Sequence, residues 1–373
     1  MADAPHAAAS EAEELFTELV GDRAAEWDRT GELPLSLLRD LGSRGLLCAQ
    51  APAAHGGLGW SSRRNGELTA HVGALCSSLR SVMTSQGMAA WTLRRLAGAD
   101  QQAPLTSRLT SGELAAVAFT EAGAGSDLSA LRTRIAFDGD EIVVDGVKVW
   151  ATNAAYADLL VVFGRTEEGA GAVVVPASAP GVRIERIADA HGCRAAGHAN
   201  IHLDGVRLPA DALLQGHDRT PALLVTTALS YGRMSVAWGS LGILRGCLAA
   251  AVRHTSGREQ FGTRLSEHQL VARHLAELFI AEQHAARACE YASAQWDEGS
   301  PDMVIAAVLA KHVAATGAAR GAERAVQVLA SAGARDGHVV ARAHRDAKLM
   351  EIIEGSNEIC ELILARHAVS AAG

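Results

Sequence analysis

The spacing of apolar residues divides the chain into three stretches. Between 11 and 110 they recur at i, i+3 and i+4, as in EAEELFTELV and LPLSLLRDLGSRGLL, which predicts helices with one apolar face. PAAHGGLGW interrupts them as a glycine-rich turn, and residues 1–10 are expected to lack fixed structure. Near 114 the pattern changes to short runs rich in Val and Ile: LAAVAFTEA, TRIAFDGDEIVVDGVKVWATN, ADLLVVFGR, GAVVVPA, GVRIERI and NIHLDGVRLP. Asp-Gly pairs punctuate them, so they predict strands joined by tight turns. After 220 the helical period returns, with four long helices near 221–253, 266–298, 302–331 and 337–369. The expected class is α+β. An N-terminal helical domain (1–113) precedes a β-barrel or sandwich domain (114–219) and a C-terminal four-helix bundle (220–373).

Composition narrows the partners. A net charge of −8 lacks the basic surplus of a nucleic-acid binder. The six cysteines form no CxxC pair, so they are expected to be reduced core residues of a cytoplasmic protein. The start, MADAPHAAASEAEE, has no charged n-region or apolar h-region. The longest apolar stretch, ALLVTTALSYGRMSVAWGSLGIL at 222–244, is broken by Arg233 and three glycines. That favours a bundle core over a membrane span. Fifteen histidines are present, but there is no HExxH, and His268, His274 and His284 do not share a helix face at i, i+4. No metal centre is expected.

Four segments could carry chemistry, and each has a plainer reading. VAFTEAGAGSDL at 117–128 leaves a strand for a loop with Gly123, Gly125 and Ser126. Small residues let backbone N–H groups approach an anion; the alternative is an ordinary turn. In VKVWATNA at 147–154, Trp150 could cover a planar cofactor while Thr152 bonds its edge, or simply be a half-buried strand residue. In SGREQFG at 256–262, Arg258 could clamp a diphosphate and Phe261 stack on a ring; the alternative is an interhelical loop. RDAKLMEIIEGSNEI at 345–359 places Glu354 among apolar neighbours. A partly desolvated glutamate suits a general base acting beside a thioester carbonyl. A carboxylate at a helix start would look the same.

Taken in order, TEAGAGSD, WATN, RxQFG and IIEGSNEI resemble the acyl-CoA dehydrogenase family over nearly the whole chain. PAAHGGLG matches that family's N-terminal turn. The resemblance implies an FAD enzyme in which Glu354 removes a proton and a β-hydride passes to flavin N5. It implies that Phe119 and Thr120 line the flavin ring. Gly125 and Ser126 would lie along the cofactor, with Ser126 also near substrate. Trp150 would flank the isoalloxazine and Thr152 bond it near N5. Arg258, Phe261, Gln269 and Gln327 would reach the FAD of a neighbouring subunit, in a homodimer or homotetramer. Ser356 and Glu358 would lie near the adenosine. Arg233, Ile353 and Gly355 would border the substrate.

Some positions depart from the family. Ala330 and Ser331 stand where Gly-Gly is usual, Ile353 replaces an aromatic residue, and Leu229 and Ser230 replace residues that often help hold the CoA arm. SLRSVMTSQGM at 78–88 resembles the segment in which glutaryl-CoA dehydrogenases hold a distal carboxylate, with Arg80 at the matching position. A surface-paired Arg80 is the alternative. The chain as a whole resembles members of the family that build hydroxymalonyl- or methoxymalonyl-type extender units on an acyl carrier protein. The expected substrate is therefore a short polar acyl thioester on carrier protein, with a short-chain or glutaryl-like CoA ester as the alternative. The electron acceptor is left open.

Overall fold

The computed structural model describes residues 4–214 and 221–371. Six helices come first: α1 (Ala4–Val20), α2 (Arg23–Thr30), α3 (Leu35–Ser43), α4 (Ser62–Leu75), α5 (Ser77–Leu96) and α6 (Ala99–Thr110). Helix α1 begins at Ala4, so residues expected to lack structure are helical from that point, in keeping with the helix propensity of their alanines. Helix α5 is buried on nearly every side. Thr84 bonds the Arg80 carbonyl and Ser235, and Ser85 bonds the Thr152 carbonyl, which helps a polar sequence sit in the core.

Seven strands follow: β1 (Ala115–Ala118), β2 (Arg134–Asp138), β3 (Glu141–Ala151), β4 (Leu159–Thr166), β5 (Gly169–Pro176), β6 (Val182–Arg186) and β7 (Ala199–Pro209). Two ladders, β1–β4–β5 and β2–β3–β7–β6, meet at the single Arg134–Arg165 pairing. Ile135, Val144, Leu160, Val162, Val173 and Ile201 fill the core shared by the two ladders. The alternation of apolar and polar residues in β6 and β7 places one face of each inward.

The C-terminal part holds α7 (Pro221–Gly257), a small hairpin β8 (Glu259–Gln260) and β9 (Thr263–Arg264), then α8 (Gln269–Asp297), α9 (Met303–Leu329), α10 (Val339–Ile352) and α11 (Asn357–Ala371). Helix α7 packs against α4, α5, α8, α9 and α10. By length and composition it could cross a membrane, yet most of the stretch is buried inside the protein. Its glycines explain the interruption of the apolar run. A Cβ at Gly242 would strike the Ala70 carbonyl, and one at Gly239 would come within 2.6 Å of Arg80 Cδ. The single helix expected over 337–369 is instead two, α10 and α11, broken at 353–356. All six cysteines are buried and unpaired.

Candidate active site

The break between α10 and α11 carries Glu354. Glu354 and Gly355 both have positive φ, 57° and 86°, which turns the chain sharply and costs a non-glycine residue energy. Two buried cations hold that turn. Arg233 Nε donates to the Glu354 carbonyl at 3.1 Å. Lys311 Nζ, fully buried on α9, donates to the carbonyls of Gly355 (2.8 Å) and Glu351 (3.3 Å) and to Asn357 Oδ1 (3.0 Å). Asn357 in turn bonds Thr316 at 3.0 Å. The backbone of the turn is tied down while the Glu354 carboxyl is left free. Its Oε2 is buried with no hydrogen-bond partner, and it lies where a side chain on Gly232 would collide with it. Burial pushes this carboxyl up to about 7, against the opposing pull of Arg233, Lys311 and Arg80. The helix-start reading does not describe it: Glu354 precedes α11 by three residues and its side chain caps nothing.

Arg80 projects from α5 and is fully buried. Nη1 donates to Thr84 Oγ1 at 3.2 Å, Nη2 lies 2.9 Å from Met350 Sδ, and Nε has no partner. Among the described residues no carboxylate pairs with it; Asp346 and Glu354 act on it only through space. The surface-paired reading is therefore excluded. A guanidinium buried without a counter-ion is costly unless something arrives to meet it.

A second cluster forms where β3 ends. Trp150 (φ 57°) is 53 % exposed and presents its indole to solvent. The Thr152 carbonyl accepts from Ser85 Oγ of α5 at 3.0 Å, and Asn153 Nδ2 donates to the Ala115 carbonyl at 2.9 Å. These bonds fix the strand end against α5 and β1. Thr152 Oγ1 lies 3.2 Å from Nδ1 of His198, the residue just before β7. Phe119 packs on Phe163, with ring centroids 4.4 Å apart, and the Thr120 carbonyl accepts from Val149 N at 2.9 Å. Beneath this loop Glu121 accepts from Lys148 Nζ (2.7 Å), Thr133 Oγ1 (2.6 Å) and the amides of Thr133 (2.9 Å) and Arg132 (2.7 Å). Burial alone would raise its carboxyl, but the Lys148 ammonium and the other donors hold it at about 2. Gly123, Gly125 and Ser126 lie exposed above the network, with open space over both glycines.

The remaining candidates sit elsewhere. Arg258, Gln269 and Gln327 are exposed, and Phe261 is 97 % exposed on the β8–β9 turn. Glu358 is exposed and bonded by Ser356. Ile353, Gly355 and Ser356 are partly exposed along the α10–α11 break. Arg80, Arg233 and Glu354 thus share one electrostatic neighbourhood, whereas Arg258, Phe261, Gln269 and Gln327 face outward.

Three family models match in order: the N-terminal, middle and C-terminal domains of acyl-CoA dehydrogenase, over residues 3–113, 116–206 and 223–369. The chain belongs to the acyl-CoA dehydrogenase family. As a member it is an FAD-dependent oxidoreductase of acyl thioesters. It is 32% identical to cyclohexane-1-carbonyl-CoA dehydrogenase of Geobacter metallireducens, over 95% of this chain and 94% of the relative. It superposes on FkbI, described as for biosynthesis of the methoxymalonyl extender unit of the polyketide Fk520, with TM-score 0.92 and 64% identity over 96% of this chain and 99% of that one. Glutaryl-CoA dehydrogenase from Mycobacterium smegmatis gives TM-score 0.94 at 27% identity, covering 99% and 95%.

The residues present fit a flavin. The open glycines at 123 and 125, the outward indole of Trp150 and the hydroxyl of Thr152 leave room and polar contacts for a planar ring with a diphosphate tail. Sequence reasoning missed Lys311 and His198. Lys311 had a signal, being the single charge in the apolar run MVIAAVLAKHVAA. His198 had only its place among small residues in AAGHAN.

Proposed function

We propose that this acyl-CoA dehydrogenase family member oxidises a short polar acyl thioester carried on an acyl carrier protein, in the making of a polyketide extender unit. The observation that carries the reading is Arg80, buried without a carboxylate partner and within electrostatic reach of Glu354. A polar or anionic acyl end would satisfy it, while a fatty chain would bury the cation deeper unpaired. The kinship with FkbI supports the extender-unit setting.

Glu354 is the base. With its carboxyl pushed up to about 7 it is basic enough to accept a proton near neutrality. Bound FAD supplies the two-electron acceptor for the hydride. On a three-carbon glyceryl-type thioester the hydride would leave C3, and Glu354 would take the hydroxyl proton, giving the oxidised carbon. Lys311 and Arg233 hold the turn so that the carboxyl keeps its aim. Arg258, Phe261, Gln269 and Gln327, all exposed, serve the FAD of a neighbouring subunit, which makes the working form a dimer or tetramer.

The test is anaerobic bleaching of the flavin band at about 450 nm. The same hydroxyacyl group is offered on carrier protein and on CoA, beside glutaryl- and butyryl-CoA. Bleaching only by the carrier-protein substrate is expected. Bleaching by glutaryl- or butyryl-CoA instead would make this a conventional desaturating enzyme.

A further inference from the structure

His198 is the polar group near the proposed flavin edge that the reaction leaves without a task. It is 8 % exposed, its Nε2 is buried with no hydrogen-bond partner, its Nδ1 lies 3.2 Å from Thr152 Oγ1, and the Cys193 carbonyl also acts on its ring. Its ring centroid lies 6.0 Å from that of Trp150. The Thr152 hydroxyl is the end of a rigid chain, since the backbone carbonyl of the same residue is pinned to Ser85.

A neutral imidazole carries one proton, so it can donate from one nitrogen only. His198 stays neutral in the folded protein: burial, then the charge of Arg80, push it down to about 4, with only the Cys193 carbonyl opposing. A histidine that accepted from Thr152 would take the hydroxyl's proton away from the cofactor. One that donates leaves that proton free.

We propose that His198 is a positioning residue for the flavin: its Nδ1–H donates to Thr152 Oγ1 and so aims the threonine's own proton at the cofactor edge. This rests on the reading that Thr152 faces the flavin ring. The residue acts through Thr152 and does not touch the reacting carbon.

The test uses purified holoenzyme of wild type, H198F, H198N, T152A and T152A/H198F. The readouts are the midpoint potential of the bound flavin, its visible spectrum and its FAD dissociation constant. T152A is expected to shift the potential, and H198F to shift it in the same direction by less. H198N, whose amide N–H replaces the Nδ1 donor, is expected to stay near wild type. The double variant is expected to match T152A, because His198 has nothing left to aim. Additive shifts in the double variant would overturn the proposal, as would an unchanged potential in H198F beside a shifted T152A. An unchanged T152A would overturn the placement of Thr152 itself, and the inference with it. Should H198F fail to fold, 15N imidazole spectra of wild type, assigned with H198N, decide the matter. A protonated Nδ1 and bare Nε2 support the proposal, and the opposite tautomer ends it.

Discussion

Two glutamates whose carboxyl oxygens are buried, each near a buried lysine, have opposite fates in this molecule. Glu121 receives four donors, and Lys148 bonds its carboxylate directly. It is held at about 2 and stays a fixed anion. Glu354 has an equally buried cation close by, but Lys311 spends its hydrogen bonds on carbonyls and Asn357, and Arg233 bonds the Glu354 carbonyl. Its Oε2 has no hydrogen-bond partner, and burial pushes the carboxyl up to about 7. What separates a structural carboxylate from a reactive one here is which atoms the neighbouring cation bonds, since both groups are buried and both have a lysine at hand.

The widest separation comes from paired substitutions. Glu354→Gln keeps the shape and removes the base, so turnover should fall by about 100- to 10,000-fold with FAD still bound. Glu121→Gln breaks a buried pair and should cost about 3–5 kcal/mol of stability, while whatever protein folds keeps most of its turnover per bound flavin. Steady-state rates and denaturant melts of both variants check this. Full activity in E354Q would remove the base, and an unchanged melt in E121Q would remove the contrast.

The two groups also pull stability in opposite directions with pH. In the folded chain Glu354 keeps its proton up to about 7, whereas unfolded it loses it near 4.5. Between those values the folded state holds more protons, so stability falls as pH rises through this window and levels off above it. The span corresponds to about 3 kcal/mol. Glu121, held at about 2, contributes stability that is complete above about 4.5 and fades as pH falls toward 2. The melting temperature of E354Q should therefore gain on wild type as pH rises from 4.5 to 7. A gap that stays constant would mean that Glu354 is ionised across the whole range. Activity should rise through the same window, because only the deprotonated group accepts a proton.

Lys311→Met tests the clamp itself. It leaves every proposed catalytic group in place and removes three bonds to the turn. We expect kcat to fall roughly tenfold as the base loses its aim, with KM for the thioester less affected. An unchanged kcat would show that Arg233 alone holds the turn.

Most of the fold was legible from the chain. The Val- and Ile-rich runs became strands β1 to β7, and the Asp138-Gly139 pair became the β2–β3 turn with Gly139 at φ 64°. The α10–α11 break was not legible, because IIEGSN has no proline and only one glycine. The turn is enforced from outside, by Lys311 and Arg233 reaching in from other helices. The motif residues were legible one by one, through family resemblance. Their environments were not: nothing local to Arg80 says that Gly239 makes room for it, and nothing local to His198 says that Thr152 meets it.

The smallest effect concerns the alanine that stands where the family favours glycine. Ala330 ends α9 with φ 51° and ψ −129°, a backbone state in which a Cβ is strained and glycine is at ease. Ala330 thus holds a backbone conformation that glycine would adopt with less strain. Its amide still donates to the carbonyls of Gln327 and Val326, so the neighbouring bonds hold the residue in this state. Ala330→Gly should relieve the strain but loosen the unfolded chain. The first effect is the larger at a positive φ, so stability should rise by about 1 kcal/mol. Because Ala330 is exposed beside Gln327, FAD affinity should change little. Denaturant melts of wild type and A330G decide it. A loss of stability would mean that the backbone at 330 relaxes away from this conformation in solution, and that the alanine carries no strain.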